Sequence, residues 1–222
     1  MIYKQIEINI KKMEIDRAIE NLKDMLSELR NEDIDEFNEH EIDIDRQEFY
    51  NETRPIYFHT DKTAIIFALT KKLRQDIIEE LKKNKIDIDV LVQDDKTDNK
   101  YFGKYNIILI FGNDILTTPT ITQLNLIDKV LQKKKGMLQY FQLNDLQFNP
   151  TKHQLVPPHR KLNQEEATII MNRYLIKSKL QMPLILKTDV IAKWHGLKQG
   201  DIVEIIRYNE NSGKSYYYRC CI

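Results

Sequence analysis

The stretch GLKQGDIVEIIRYNENSGKSYYYRCC, residues 196–221, decides the architecture of the last third of this 222-residue chain. Gly200-Asp201 turns the chain into a run rich in Ile and Val, residues 202–207. Asn209-Glu210-Asn211-Ser212-Gly213 then turns it back into a run rich in Tyr, residues 214–221. Two β-prone runs joined by a short Asn/Ser/Gly turn predict a β-hairpin. Neighbours on a strand point to opposite faces, so the chain's two cysteines, Cys220 and Cys221, make neither a disulfide framework nor a metal knuckle.

Upstream, Asn163 is placed to cap a helix with Glu166 reaching back as a capping box, and Leu162 with Ala167 takes the positions of a hydrophobic staple. The predicted core face of that helix is Ala167, Ile170, Met171 and Tyr174. Pro183 breaks the chain into an extended piece, and Asp189 or Thr188 caps a short helix that stops at Gly196. Residues 149–222 thus predict a small α+β domain.

The first two-thirds read differently. Ile15, Ala18, Ile19, Leu22, Met25, Leu26 and Leu29 recur at helical spacing and predict a helix over 11–30. Residues 32–45 carry eight acidic side chains and predict a shorter helix running into a loop; Asp43 and Asp45 lack the central Gly of a calcium loop. Residues 56–60 and 64–69 read as a hairpin, and Leu73, Ile77, Ile78 and Leu81 as the apolar face of a helix. Residues 86–92 predict a strand, 93–103 a polar loop, and 106–111 a strongly apolar strand. Thr118 is then expected at a helix N-cap with Pro119 at the first helical position. Strands alternating with helices predict an α/β domain over 1–148, a mixed sheet flanked by helices.

Charge is balanced overall, with 34 basic and 34 acidic side chains, yet it is polarised along the chain. Residues 150–222 hold 12 basic against 6 acidic side chains, whereas residues 1–60 hold 8 against 16. A net charge of zero argues against a free-standing DNA-binding transcription factor, since phosphate affinity comes from many cations acting together. Residues 1–13 lack the apolar core of a signal peptide, and no run approaches the roughly 20 apolar residues of a membrane span. A soluble intracellular protein with no membrane partner is expected.

His40, His59, His153, His159 and His195 show no paired metal spacing with cysteine, so no metal is assigned. No glycine-rich phosphate loop or nucleophile elbow is present, so neither cofactor, small-molecule substrate nor catalytic residue is expected.

The tail resembles the fifth subunit of eukaryotic-type DNA-directed RNA polymerases and its smaller archaeal counterpart. The resemblance rests on Leu155-Val156-Pro157 with His159, Glu165-Glu166, Arg173-Tyr174, Pro183, Asp189, Ile191-Ala192 and Gly196-Leu197-Lys198. It continues through Gly200-Asp201, Val203, Ile205-Ile206-Arg207, Gly213 and Tyr218-Arg219. The chain departs from the family pattern at Pro158, Val190, Lys193-Trp194 and Tyr208, which leaves the caps and turns intact. Residues 1–148 are similar to the family's amino-terminal jaw in the order of elements.

The resemblance implies a non-catalytic subunit. Its tail would dock on the largest polymerase subunit and neighbouring small subunits through His153, Val156, Pro157, His159, Arg173, Tyr174, Pro183, Arg207, Tyr218 and Arg219. Its jaw would lie beside downstream duplex DNA, with Thr118, Pro119 and Thr120 towards the duplex. The jaw's own lysines, Lys71, Lys72, Lys82, Lys83, Lys133, Lys134 and Lys135, are expected to add weak, non-specific contact. The same threonine and proline also make an ordinary helix start. The jaw's topological likeness to restriction endonucleases makes a metal-dependent nuclease the alternative, with Asp94-Asp95-Lys96 and Asp98-Asn99-Lys100 as its local candidates. Heavy use of Ile, Lys and Asn points to an AT-rich viral or protist genome, hence a virion or host cytoplasm, or a nucleus if cellular.

Overall fold

The computed structural model describes residues 2–35, 37, 54–83, 106–133, 136–211 and 213–222. The chain divides into two compact units, Met1–Phe148 and Asn149–Ile222. The predicted strand at 86–92, the loop at 93–103 with its Asp-Lys pairs, His40, and Asp43 and Asp45 lie outside the described residues.

In the first unit, α1 (Ile2–Asp24) continues as a π-helical turn, Met25–Leu29, so it begins well before the predicted residue 11. Strands β1 (Ile56–His59) and β2 (Thr63–Ala68) form the predicted hairpin, and α2 follows over Lys71–Lys83. Next come β3 (Asn106–Phe111), α3 (Thr118–Lys133) and β4 (Met137–Gln142). The sheet order is β1-β2-β3-β4, with β1 antiparallel to β2 and the other neighbours parallel. A mixed sheet with flanking helices is the α/β architecture that the alternation predicted.

Its central strands are buried along nearly their whole length, as expected where both faces are covered. Ala64, Ile66, Ile107, Leu109 and Phe111 pack with Leu73, Ile77, Leu81, Leu124, Ile127 and Leu131 from α2 and α3. The stripe Ile15, Ala18, Ile19, Leu22, Met25 and Leu26 on α1 is buried too. Near the hairpin turn, the buried Glu32 carboxylate accepts the hydroxyls of Thr60 at 2.5 Å and Thr63 at 2.9 Å. That pairing satisfies a charge that would otherwise be costly to bury.

The second unit contains β5 (His159–Lys161), α4 (Gln164–Arg173), β6 (Leu184–Ile185), α5 (Val190–Trp194), β7 (Ile202–Asn209) and β8 (Gly213–Cys221). Its sheet order is β5-β7-β8-β6. The β7–β8 hairpin is the one its turn residues predicted, with Gly213 at φ 73° closing the turn. Pairing with β5 ends at Ile205, and pairing with β6 reaches only Cys220 and Cys221, so the far half of the hairpin projects without a flanking strand among the described residues.

The two faces of this sheet carry separate cores. Ile202 and Cys220 pack with Leu162, Ala167 and Met182, while Val203 and Cys221 pack with Ile185, Ala192 and Leu197. The adjacent cysteines therefore point to opposite faces, and both are free and buried. Burial raises both thiols, Cys221 to about 11, which keeps them protonated and unreactive at neutral pH.

Candidate functional site

In the second unit, α4 starts as predicted. Asn163 Oδ1 accepts the Glu166 amide at 2.8 Å, and Glu166 returns the bond to the Asn163 amide at 2.9 Å. Both α4 and α5 end in Schellman turns. At α5, Gly196 donates to Lys193 and Leu197 to Ala192; at α4, Leu175 donates to Asn172 and Ile176 to Met171. Gly196 takes the left-handed position at φ 59°, and at the equivalent point of α4 Leu175 takes it at φ 55°. One expectation for α4 needs correction: Tyr174 is not a core residue. It sits at the C-cap, 53% exposed, with its ring 5.8 Å from that of Tyr218, because the helix ends before the stripe can continue.

The expected interface residues do not form one patch; the sheet divides them. Cross-strand partners share a face, so Ile202, Glu204 and Ile206 lie with Cys220, Tyr218 and Tyr216 on the α4 side. Val203, Ile205 and Arg207 lie with Arg219, Tyr217 and Ser215 on the α5 side. Arg173, Tyr174 and Tyr218 thus belong to the α4 face, and Arg207, Arg219 and His159 to the α5 face. Pro183 offers its carbonyl to the Cys220 amide at 2.9 Å, so its first role is to start the pairing of β6 with β8.

The approach to β5 is a folded loop. His153 Nδ1 accepts the Leu155 amide at 3.2 Å, and its carbonyl accepts the Val156 amide at 2.9 Å. His159 Nδ1 lies 2.6 Å from the Pro157 carbonyl. A carbonyl can only accept, so Nδ1 carries the proton. Burial holds the His159 imidazole below its ordinary value, opposed by the Pro157 bond and Asp189 and aided by Arg219 and Arg207.

Large apolar side chains are exposed across this small unit: Leu155, Ile169, Leu175, Leu180, Leu186, Val190, Tyr208, Tyr216 and Tyr217 among them. They lie on both faces of the sheet, a high density of exposed apolar groups for a unit of 74 residues. Sequence reading missed Leu175 and Tyr217; a hydrophobic residue directly after a helix end, and the middle of three consecutive tyrosines, were the available signals.

In the first unit the expected DNA-side residues separate. α3 begins one residue earlier than expected: the Thr117 carbonyl accepts the Ile121 amide at 3.1 Å, which makes Thr117 the N-cap, and its hydroxyl bonds that of Thr120 at 2.9 Å. Thr118 and Pro119 are therefore already helical and exposed. They sit at the carboxyl edge of the parallel strands, where α2 also starts with Lys71 and Lys72. Lys133 lies at the other end of α3, about 22 Å away at 1.5 Å per residue. Lys134 and Lys135 lie outside the described residues. Among the described residues no cluster of His, Cys, Asp and Glu is placed to hold a metal, and no helix is long and apolar enough to cross a membrane.

These features define the second unit as a small α+β module with an apolar-rich surface. Residues 148–221 match the family RNA polymerase Rpb5, C-terminal domain, so the resemblance read from the tail is shown. The chain is 40% identical over 91 residues to DNA-directed RNA polymerases I, II, and III subunit rpabc1 of Dictyostelium discoideum, covering 41% of this chain and 46% of that protein. It is 34% identical over 133 residues to DNA-directed RNA polymerase V subunit 5A of Arabidopsis thaliana, covering 54% and 60%. It is 38% identical over 88 residues to DNA-directed RNA polymerases I, II, and III subunit RPABC1 of Caenorhabditis elegans, covering 40% and 41%. The chain spans about half the length of the curated relatives it matches.

Proposed function

We propose that this chain is a non-catalytic subunit of a multisubunit DNA-directed RNA polymerase. The observation that carries the reading is the match of residues 148–221 to the Rpb5 C-terminal domain on a unit rich in exposed tyrosine and leucine. Residues 149–222 dock on the largest subunit and its small neighbours, and residues 1–148 act as a jaw beside downstream duplex DNA. A permanent interface of this kind buries about 2,000 Å² or more and takes up apolar side chains like those left open here.

The placement of Thr118, Pro119, Lys71 and Lys72 at one sheet edge supports that edge as the DNA side, since helix N-termini and lysines both favour phosphate. Contact there is sequence-independent guidance. The named relatives come from cellular organisms. The Ile-, Lys- and Asn-rich composition supports a viral or protist source, with the virion or cytoplasm as the site of work in the first case.

Affinity purification of the native protein followed by mass spectrometry tests the reading. Recovery of the two largest polymerase subunits in stoichiometric amounts is expected. A chain recovered alone, or with divalent-ion-dependent DNA cleavage of its own, overturns it.

A further inference from the structure

The α5 face of the second unit carries an arrangement that its opposite face lacks. Across β5, β7 and β8 the side chains fall into rows: Lys161, Val203 and Arg219; then His159, Ile205 and Tyr217; then Arg207 and Ser215. Two arginines thus flank one tyrosine at successive positions on the same side of a projecting hairpin. The Arg207 guanidinium lies over the Tyr217 ring, 4.7 Å from its centroid, and Tyr217 is 49% exposed. Arg219 Nη1 donates to the Leu184 carbonyl at 3.2 Å.

Neither arginine has a carboxylate partner among the described residues. The acids nearest this face are engaged elsewhere. Asp189 caps α5 by accepting the Ile191 and Ala192 amides, and Asp201 holds Lys161 at 2.6 Å and the Lys198 amide at 2.7 Å. On the α4 face the opposite holds: Arg160 is neutralised by both Glu166 and Glu204, and Glu204 also accepts the Tyr218 hydroxyl. The α4 face carries cations of its own, with Lys214 over the Tyr216 ring and Arg173 in the last turn of α4, but its one sheet arginine is paired. The α5 face presents two guanidiniums on neighbouring strands with no carboxylate partner among the described residues.

We infer that the Arg207–Tyr217–Arg219 cluster is the seat of an acidic segment of the protein on which this unit docks, its carboxylates taken by the two guanidiniums and its apolar groups laid on Tyr217. The inference rests on the polymerase-docking reading and adds the chemistry of the partner. Two features favour protein over nucleic acid. The cations are arginines, whose planar fork suits carboxylate and phosphate alike. They frame an exposed tyrosine, the pairing enriched at the energetic centres of protein interfaces. Leu186 and Val190, the latter opening α5, are exposed on the same unit.

The test uses the full chain expressed in its own cells. Benzoylphenylalanine in place of Tyr217 is photolysed, and the adduct is identified by mass spectrometry. A protein peptide rich in Asp or Glu is expected. In parallel, Arg207→Glu and Arg219→Glu each lower recovery of the largest polymerase subunit by about tenfold or more, whereas Lys177→Glu, an equal reversal of an exposed charge elsewhere on the unit, leaves it unchanged. Arg207→Glu also protects the test from misfolding, since that guanidinium only covers Tyr217. If the wild-type chain recovers the polymerase but both arginine variants do so equally well, the inference fails and the docking reading stands. An adduct on nucleic acid, or on a peptide without acidic residues, overturns the inference in the same way. A wild-type chain that recovers no polymerase subunit overturns both.

Discussion

Tyr218 and Glu204 face one another across the β7–β8 hairpin, and the tyrosine hydroxyl donates to Glu204 Oε1 at 3.2 Å. Arg160, from β5, takes the other oxygen at 3.2 Å and reaches on to Glu166 in α4. One carboxylate therefore ties three strands to the helix that covers them. Burial, reinforced by the Glu204 bond, raises the Tyr218 phenol. Arg160 is half exposed, so solvent screens the ion pair. Glu204→Gln keeps an acceptor for Tyr218 but removes the charge, and is expected to cost about 1 kcal/mol. Urea unfolding of wild type and variant measures it as a lower midpoint at unchanged slope.

The α4 cap is the second point of leverage. Asn163→Ala leaves the Glu166 amide without its acceptor and is expected to lower stability by about 1 kcal/mol. Glu166 is held below its ordinary value first by Arg160 and then by the Asn163 amide. A depressed carboxylate contributes stability above its unfolded pKa and loses it as pH falls through the folded value. Acid unfolding followed by circular dichroism is therefore expected to be less steep in Glu166→Gln than in wild type.

His159 gives a pH dependence nearer neutrality. Its folded value lies below the ordinary 6.5, chiefly through burial, with Arg207 on β7 and Arg219 on β8 acting in the same direction and Asp189 opposing. The His195 ring lies 6.2 Å away. The unfolded chain therefore binds a proton more readily as pH drops below about 6.5, and the folded state is disfavoured there. Thermal melts between pH 7.5 and 5.5 are expected to show a falling midpoint in wild type and a smaller fall in His159→Gln. An equal fall in both would place the titration elsewhere.

The parts of the fold that were legible in the sequence are those set by short-range chemistry. Asn163 and Glu166 form the capping box their spacing announces, and the alternation of strand side chains separates Cys220 from Cys221. Strand β5 was not legible: His159, Arg160 and Lys161 show no apolar alternation, because an edge strand needs none. Strand β6 is two residues long, too short for any period. The cap of α3 shifted by one residue because Thr117 and Thr118 are equally good capping groups, and only the geometry of the following turn chooses between them. The candidate site was legible as a set of residues but not as two faces. Arg207, Tyr217 and Arg219 become neighbours only through the register of β7 against β8.

Residues 149–222 are one of the two compact units into which the chain divides. The remaining 1–148 chain keeps the four-stranded sheet and the helices that cover it. Expressed in place of the full chain, it is expected to fold, with a cooperative melt, yet to lose co-purification with the largest polymerase subunit. Normal recovery of that subunit with the truncated chain would move the docking surface to the first unit.

Leu175 supplies the last and sharpest prediction. It occupies the left-handed position of a Schellman turn at φ 55°, where Gly196 serves the equivalent turn of α5, and its side chain is 87% exposed. Folding gains little from it: the Cβ strains the backbone by about 1 kcal/mol, and the apolar side chain finds no cover. The proposed docking reading gives such a residue a use, as an exposed leucine on the unit proposed to meet the partner. Leu175→Gly is therefore expected to raise the stability of the isolated chain by up to about 1 kcal/mol, less the backbone entropy that glycine adds to the unfolded state. The same variant is expected to weaken recovery of the largest polymerase subunit. Higher stability with undiminished recovery would show that Leu175 is not part of the interface, and lower stability would show that the leucine supports the turn.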